Sequence, residues 1–379
     1  MLRSEMEPMT VPGRELTEIR SVRNIEMIEN GIKKFIMITV GGSVSTGSTP
    51  LIDLLREYDG LKVVDGEFRP GKFAYQLADQ IRKGEVTDEK TIRIQRKSTL
   101  EYGRKSPLLH DLYFKMLVRL PKPMARRWFG HITSVTRRRL AHRGYEERVP
   151  GYGRATGILF DRLAALNRQM ATQSDSERLA GLSQCLEEYF HSVSSSFVRE
   201  SHGQIPVFDQ MINPNKLFSE PGDMVLARLL PSAAIIVVSR DVRDQYCDMI
   251  RKGKKRYHLL DPEERVDRYI HEYSRRYEDM HRQLQHLPEN VLHVRFEDLI
   301  FHYQDTKQRV EDFLGIKEHL RPRRHFDPLV AAQNTQLFRD FGNREEIAKI
   351  EQYMGQWIYP FESEQERQGT GMAESAGKS

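Results

Sequence analysis

The chain has 379 residues, 39% of them apolar and 30% charged, with a net charge of +5. That length can bury a large core in one α/β domain with insertions, and the modest positive charge suits an anionic ligand. Its two cysteines, Cys185 and Cys247, lie far apart, which argues against a disulfide framework or a metal site. No apolar run approaches the ~20 residues of a membrane span, so the expectation is a cytoplasmic protein with no transmembrane segment and no bound metal.

Residues 1–32 are polar and mixed and read as an N-terminal extension. The domain proper then runs from 33 to 361. It opens with Phe35-Ile36-Met37-Ile38-Thr39-Val40, a short apolar run that predicts a buried strand. Directly behind it come Gly41-Gly42-Ser43-Val44-Ser45-Thr46-Gly47-Ser48-Thr49. Glycines there let the backbone turn tightly and bring its N–H groups against an anion. The segment Pro50 to Tyr58 reads as a helix whose N-terminus points at the same spot. From Gly42 the spacing follows the phosphate-loop pattern GxxxxGK[ST] except at one place, where Ser48 stands instead of lysine. That lysine serves the β/γ-phosphates of a nucleoside triphosphate, so its absence argues against ATP or GTP hydrolysis.

Leu61-Lys62-Val63-Val64 predicts a second strand, followed by Asp65-Gly66-Glu67. Residues 73–200 look mostly helical, with Leu159, Leu163, Leu166 and Met170 and then Leu182, Cys185, Leu186, Tyr189 and Phe190 on amphipathic periods. This stretch is expected to cap the C-terminal edge of the sheet and shape an acceptor region. It also carries Arg126-Arg127-Trp128-Phe129 and Arg137-Arg138-Arg139, for which a solvated helix face is the plainer reading.

Ile205-Pro206-Val207-Phe208 predicts a third strand ending in Asp209, and Ala233-Ala234-Ile235-Ile236-Val237-Val238 a fourth, covered on both faces. The fourth runs into Ser239-Arg240-Asp241-Val242-Arg243-Asp244. An arginine at the C-terminal end of a parallel strand lies in the crevice where open α/β sheets bind ligands, and its planar fork suits phosphate. Pro262 to Leu287 reads as a long charged helix with Tyr269, Tyr273 and Tyr277 at spacing four. Val291-Leu292-His293-Val294 predicts a fifth strand, and residues 362–379 a disordered tail. Strands alternating with helices imply a parallel, doubly wound sheet.

At these residues the chain resembles the PAPS-dependent sulfotransferases. Ser45-Thr46-Gly47-Ser48-Thr49 is similar to their 5′-phosphosulfate loop, and Arg240-Asp241-Val242-Arg243-Asp244 to their Arg-Asp-Pro-Arg-Asp element. Val294-Arg295-Phe296-Glu297-Asp298-Leu299 resembles a conserved strand end of that family. Asn334-Thr335-Gln336-Leu337-Phe338-Arg339 resembles its cofactor-covering segment. The resemblance implies a P-loop-like fold with PAPS as co-substrate. Gly42, Ser43, Ser45, Thr46, Gly47, Ser48, Thr49, Arg240, Asp248, Arg251 and Arg339 are the positions it points to around that ligand. There are departures: Ser45 replaces a basic residue, Val242 a proline, and Asp248 a serine that holds the 3′-phosphate. A carboxylate at 248 repels phosphate unless the helix is rotated or Arg251, Lys252 and Lys254 compensate.

Sulfuryl transfer also needs a base. The family's small-molecule branch uses a histidine after the third strand, but Phe208 to Pro214 contains none. Its glycan-acting branch uses a glutamate after the second strand, a place that Glu67 matches; Asp209 is the rival. The implied partner is a glycan or small-molecule acceptor, with no nucleic acid, and a homodimer is the default assembly. Two other readings stay open. One is a P-loop kinase or NTPase with Asp209 holding Mg²⁺. The other is a non-catalytic module that binds an anionic polymer, although no nucleic-acid motif is visible.

Overall fold

The computed structural model describes residues 35–42, 45–67, 80–93, 149, 151–170, 172–200, 203–209, 225–253, 257, 259–316 and 323–361. In chain order the principal elements are β1 (Met37–Gly42), α1 (Ser48–Leu55), β2 (Leu61–Glu67), α2 (Tyr152–Gln169), α3 (Asp175–Glu200) and β3 (Ile205–Asp209). Then follow β4 (Ala233–Ser239), α4 (Val242–Arg251), α5 (Pro262–Leu284), β5 (Val291–Arg295), α6 (Tyr303–Leu314) and α7 (Arg344–Met354). The extension 1–32 and the tail 362–379 lie outside the described residues.

The five strands form one sheet in the order β2-β3-β1-β4-β5, with every neighbouring pair parallel. The α/β, P-loop-like architecture expected from the sequence is therefore present. Strand faces alternate as the pleat requires. Ile38, Val40, Ala234, Ile236 and Val238 face α1 and the helices after β5, joining Leu51, Leu54, Leu299 and Val310 in one core. Met37, Ile235, Val237, Val64 and Phe208 face the other way, against Leu159, Phe160, Leu163, Leu186, Phe190 and Val193. Burying apolar residues on both faces is what makes these strands read as continuous hydrophobic runs.

The second core shows where the described helices of the 73–200 stretch, α2 and α3, pack. They carry the expected apolar stripes, and these stripes cover one face of the sheet. Period-3.6 stripes of Leu, Phe and Val need a flat apolar partner, which the strand face supplies. The basic segments around residues 126–129 and 137–139 lie outside the described residues.

A third core joins α4, α5 and α7 through Tyr246, Tyr269, Tyr273, Ile350 and Trp357. Helix α5 begins as its sequence dictates: Asp261 accepts from the Glu264 N–H at 2.8 Å, and Pro262 takes the first helical position. The tyrosines at spacing four share one buried face. Among the described residues, no helix is long and apolar enough to cross a membrane.

Candidate active site

In this strand order the chain leaves β1 toward β3 and β2 and later returns to lay β4 on the opposite side of β1. The C-terminal ends of β1 and β4 therefore flank the topological switch point, where open α/β sheets hold ligands. Gly42 at the end of β1 pairs in register with Val238 on β4. The turn after β1 and the residues after Ser239 consequently project from the same edge.

Steric limits explain the glycines of that turn. A Cβ on Gly42 would sit 2.0 Å from Thr46 Oγ1 and 2.9 Å from the Val238 carbonyl, so the backbone approaches where no side chain fits. Gly47 has φ +85°, and a Cβ there would meet the Phe296 ring at 2.7 Å. Ser45 also takes a left-handed φ of +61°, uncommon for a residue with a side chain. Gly47 is the N-cap of α1 and offers no side-chain cap, so the first N–H groups of the helix carry no such partner. Ser48 begins α1 and is half-buried, Thr49 is exposed and Thr46 is buried. Ser43 lies outside the described residues.

Arg240 reaches back to this turn. Its Nη1 donates to the Ser45 carbonyl at 3.1 Å and its Nη2 to the Asn334 carbonyl, while its guanidinium lies 5.1 Å from the centre of the Phe296 ring. Phe296 is thus wedged between Gly47 and Arg240. The arginine is only 5% exposed, and the Tyr277 hydroxyl fixes its backbone by donating to the Arg240 carbonyl at 2.9 Å.

The remainder of the Arg-Asp-x-Arg-Asp element does a job the sequence reading did not assign. Asp241 caps α4 through the Arg243 N–H at 2.8 Å, accepts both Nε and Nη2 of Arg243, and takes the Tyr359 N–H at 2.9 Å. Arg243 lies over the Phe338 ring at 3.7 Å and pairs with Glu351 at 2.8 Å. Asp244 accepts from the Gln336 N–H at 2.6 Å. One strand-end motif therefore holds the whole 334–359 segment against the crevice. Acidic residues one and four places beyond Arg240 were the available signal, in an element read at first for Arg240 alone.

Glu297, which precedes the short helix Asp298–Phe301, makes no side-chain cap. It is fully buried, and its Oε1 accepts from the Asp241 N–H at 2.9 Å. The short helix is instead held from outside, where the Tyr359 hydroxyl donates to Asp298 at 2.9 Å. Burial pushes Glu297 up to about 8, opposed by the Asp241 N–H and the Arg240 charge. Burial together with the Asp241 charge likewise raises Asp244 to about 6.

Asp248 sits one turn beyond Asp244 on α4 and faces Arg240 at 3.8 Å. Lys252 pairs with it at 2.5 Å. Of the compensating cations expected, Lys252 is therefore the one that engages; Arg251 is exposed and Lys254 lies outside the described residues. Arg339 is exposed as well, with its carbonyl held by Arg344. Cys247 is fully buried in the third core, and burial raises its thiol far above the ordinary range.

The two candidate bases fall on adjacent strands. Asp209 is in register with Val40 on β1 and with Glu67 on β2. Between Val64 and Glu67 the β2–β3 register shifts, so β2 bulges as it reaches the sheet edge. Bulges at a sheet rim re-aim the chain and are common beside active sites. Behind this edge, Ser239 Oγ and His293 Nε2 lie 2.7 Å apart and tie β4 to β5. Burial and the Arg295 and Arg309 charges lower His293 to about 4. Among the described residues, no group of three or more His, Cys, Asp or Glu is placed to hold a metal ion.

The sulfotransferase STF9 of Mycobacterium avium matches 93% of this chain with 83% of its own, at 12% identity and TM-score 0.37. The sulfotransferase domain of the curacin biosynthetic pathway matches 89% of this chain with 97% of its own, at 15% identity and TM-score 0.35. That of the Synechococcus PCC 7002 olefin synthase matches 86% with 95%, at 14% identity and TM-score 0.35. No curated protein matches the chain in sequence. The family model described as the sulfotransferase family matches residues 38–319, from β1 past α6, and by that match the chain belongs to the sulfotransferase family.

Proposed function

We propose that this protein transfers a sulfuryl group from PAPS to a hydroxyl or amine of a glycan or another polar acceptor. The observation that carries the reading is the convergence of the Gly42–Thr49 turn and buried Arg240 at the switch point, 3.1 Å apart at Ser45. Gly42 and Gly47 let the turn pack directly against Val238 and Phe296, and this tight bend supports its reading as an anion loop. When bound, PAPS supplies a sulfuryl group carried on a phosphate leaving group.

Within that reading the chain's own groups divide the work. Turn N–H groups with the Ser48 and Thr49 hydroxyls bind the 5′ side of the donor, and Arg240 supplies positive charge for its 3′-phosphate. Positioning and fixed electrostatics carry most of the rate in transfers of this type. Glu67, with Asp209 as its neighbour in register, takes the proton from the acceptor's attacking atom. Ser48 in place of a lysine weighs against a nucleoside triphosphatase.

Calorimetric titration with adenosine 3′,5′-bisphosphate and with ATP, each with and without Mg²⁺, tests the proposal. Metal-independent binding of the bisphosphate that is lost in Arg240→Ala is the expected result. A preference for ATP with Mg²⁺, or no binding of either nucleotide, would overturn it.

A further inference from the structure

The Arg240 corner is not an unopposed cation. Its guanidinium faces the Asp248 carboxylate at 3.8 Å, and Asp248 is 7% exposed, so water does little to screen the pair. Asp244 lies on the same face of α4 one turn earlier, fully buried, and Asp241 precedes it. Among the described residues, the nearby cations have their own counterions. Arg243 is held by Asp241 and Glu351, and Lys252 by Asp248. Arg251 is solvent-exposed at the end of α4.

A phosphate dianion and a ribose hydroxyl meet such a corner differently. The phosphate brings only acceptors and negative charge, so Asp248 repels it and offers it no proton. The hydroxyl can donate to that same carboxylate. The contrast is the one by which a carboxylate reads a ribose hydroxyl and an arginine reads a phosphate in dinucleotide-binding folds. Lys252 partly neutralises the carboxylate from its exposed side, which softens the repulsion without giving Asp248 itself a proton to offer.

We infer that Asp248 sets donor selectivity in this chain: beside Arg240 it cancels most of the advantage of a 3′-phosphate, so adenosine nucleotides with a free 3′-hydroxyl bind nearly as well as 3′-phosphorylated ones. The inference rests on the proposed nucleotide site. It extends the donor class to adenosine 5′-phosphosulfate alongside PAPS.

The test is a matched titration of the full chain with adenosine 5′-phosphate and adenosine 3′,5′-bisphosphate. It is run on wild type, Asp248→Asn, Asp248→Ser and Lys252→Ala, with thermal melts as the folding control. In wild type the two affinities lie within about tenfold of each other. Asp248→Asn or Asp248→Ser tightens the bisphosphate by about tenfold or more, on removal of a like charge at close range, and leaves the monophosphate unchanged or weaker. Lys252→Ala, which strips the carboxylate of its partner, moves bisphosphate affinity the other way. One folded Asp248 variant suffices for the comparison, and Lys252→Ala, at an exposed side chain, supplies it if both fail to fold. A wild-type preference for the bisphosphate of a hundredfold or more, unmoved by these substitutions, overturns the inference and leaves the nucleotide site standing. Failure of wild type to bind either nucleotide overturns both.

Discussion

Across 195 residues of chain, the Nη1–H of Arg240 reaches the carbonyl of Ser45 at 3.1 Å. The bond joins the turn after β1 to the end of β4 at the point where the sheet changes direction. Both residues are therefore placed by the strand order as much as by their own loops. Removing the guanidinium takes away that tie and the charge beside the crevice, and it leaves the Ser45 and Asn334 carbonyls without this donor. Arg240→Ala should weaken nucleotide binding by about 10- to 100-fold, the range for a charged hydrogen-bonding group. Arg240→Lys should recover only part of it, because an ammonium cannot span two carbonyls as the planar fork does. Titration calorimetry on folded variants decides the matter.

Gly47 offers a purely steric prediction. Its φ of +85° and the Phe296 ring at 2.7 Å from a would-be Cβ act independently. Gly47→Ala should cost about 1–3 kcal/mol in urea unfolding. In a Phe296→Ala background, which removes the ring, Gly47→Ala should cost only the backbone part. No cost in that background would show that the turn had relaxed.

Stability should depend on pH through Glu297. Its folded value is raised from 4.5 to about 8, so between those limits the unfolded chain binds fewer protons than the folded one. The free energy of unfolding then falls as pH rises from about 4.5 to 8 and levels off beyond. Glu297→Gln keeps an acceptor for the Asp241 N–H and removes the titration. The variant should match wild type near pH 5 and be the more stable of the two near pH 8.5. Parallel slopes for the two proteins across this window would exclude Glu297 as the source.

Chemistry should separate from binding at the neighbouring strand ends. Glu67→Gln is expected to lower turnover by about 10²- to 10⁴-fold, the usual contribution of a positioned base, while nucleotide affinity stays within about twofold. Asp209→Asn should have the smaller effect on turnover. Reversed magnitudes would exchange the two roles, and normal turnover in both would remove carboxylate catalysis from the proposal.

The strands and the anion turn were legible because their signals are local. Ala233–Val238 could be read from its apolar run alone, and the turn from two glycines that sterics make obligatory. Boundaries shifted where a neighbour intervened: β1 runs on through Gly41 and Gly42 because Val237 and Val238 on β4 pair with them. Illegible were the partnerships that cross the chain. Nothing local to Asp241 announces Tyr359, 118 residues away, and nothing near Asp244 announces Gln336. The covering of a sheet face by α2 and α3 was hidden for a related reason. An amphipathic stripe fixes that a helix packs and leaves open which surface it meets.

Those long spans have a consequence for how the protein comes into being. During synthesis, the turn after β1 emerges early and has no guanidinium to hold until residue 240 has been made. Glu57 waits for the N–H of Phe326, 269 residues on, and Asp241 for Tyr359. The corner where Arg240 meets the turn is thus among the last parts of the molecule to be finished, after the segments of α2 and α3 have been made. Non-local closure of that sort is slow, and the strands left unpaired meanwhile are where chaperones act.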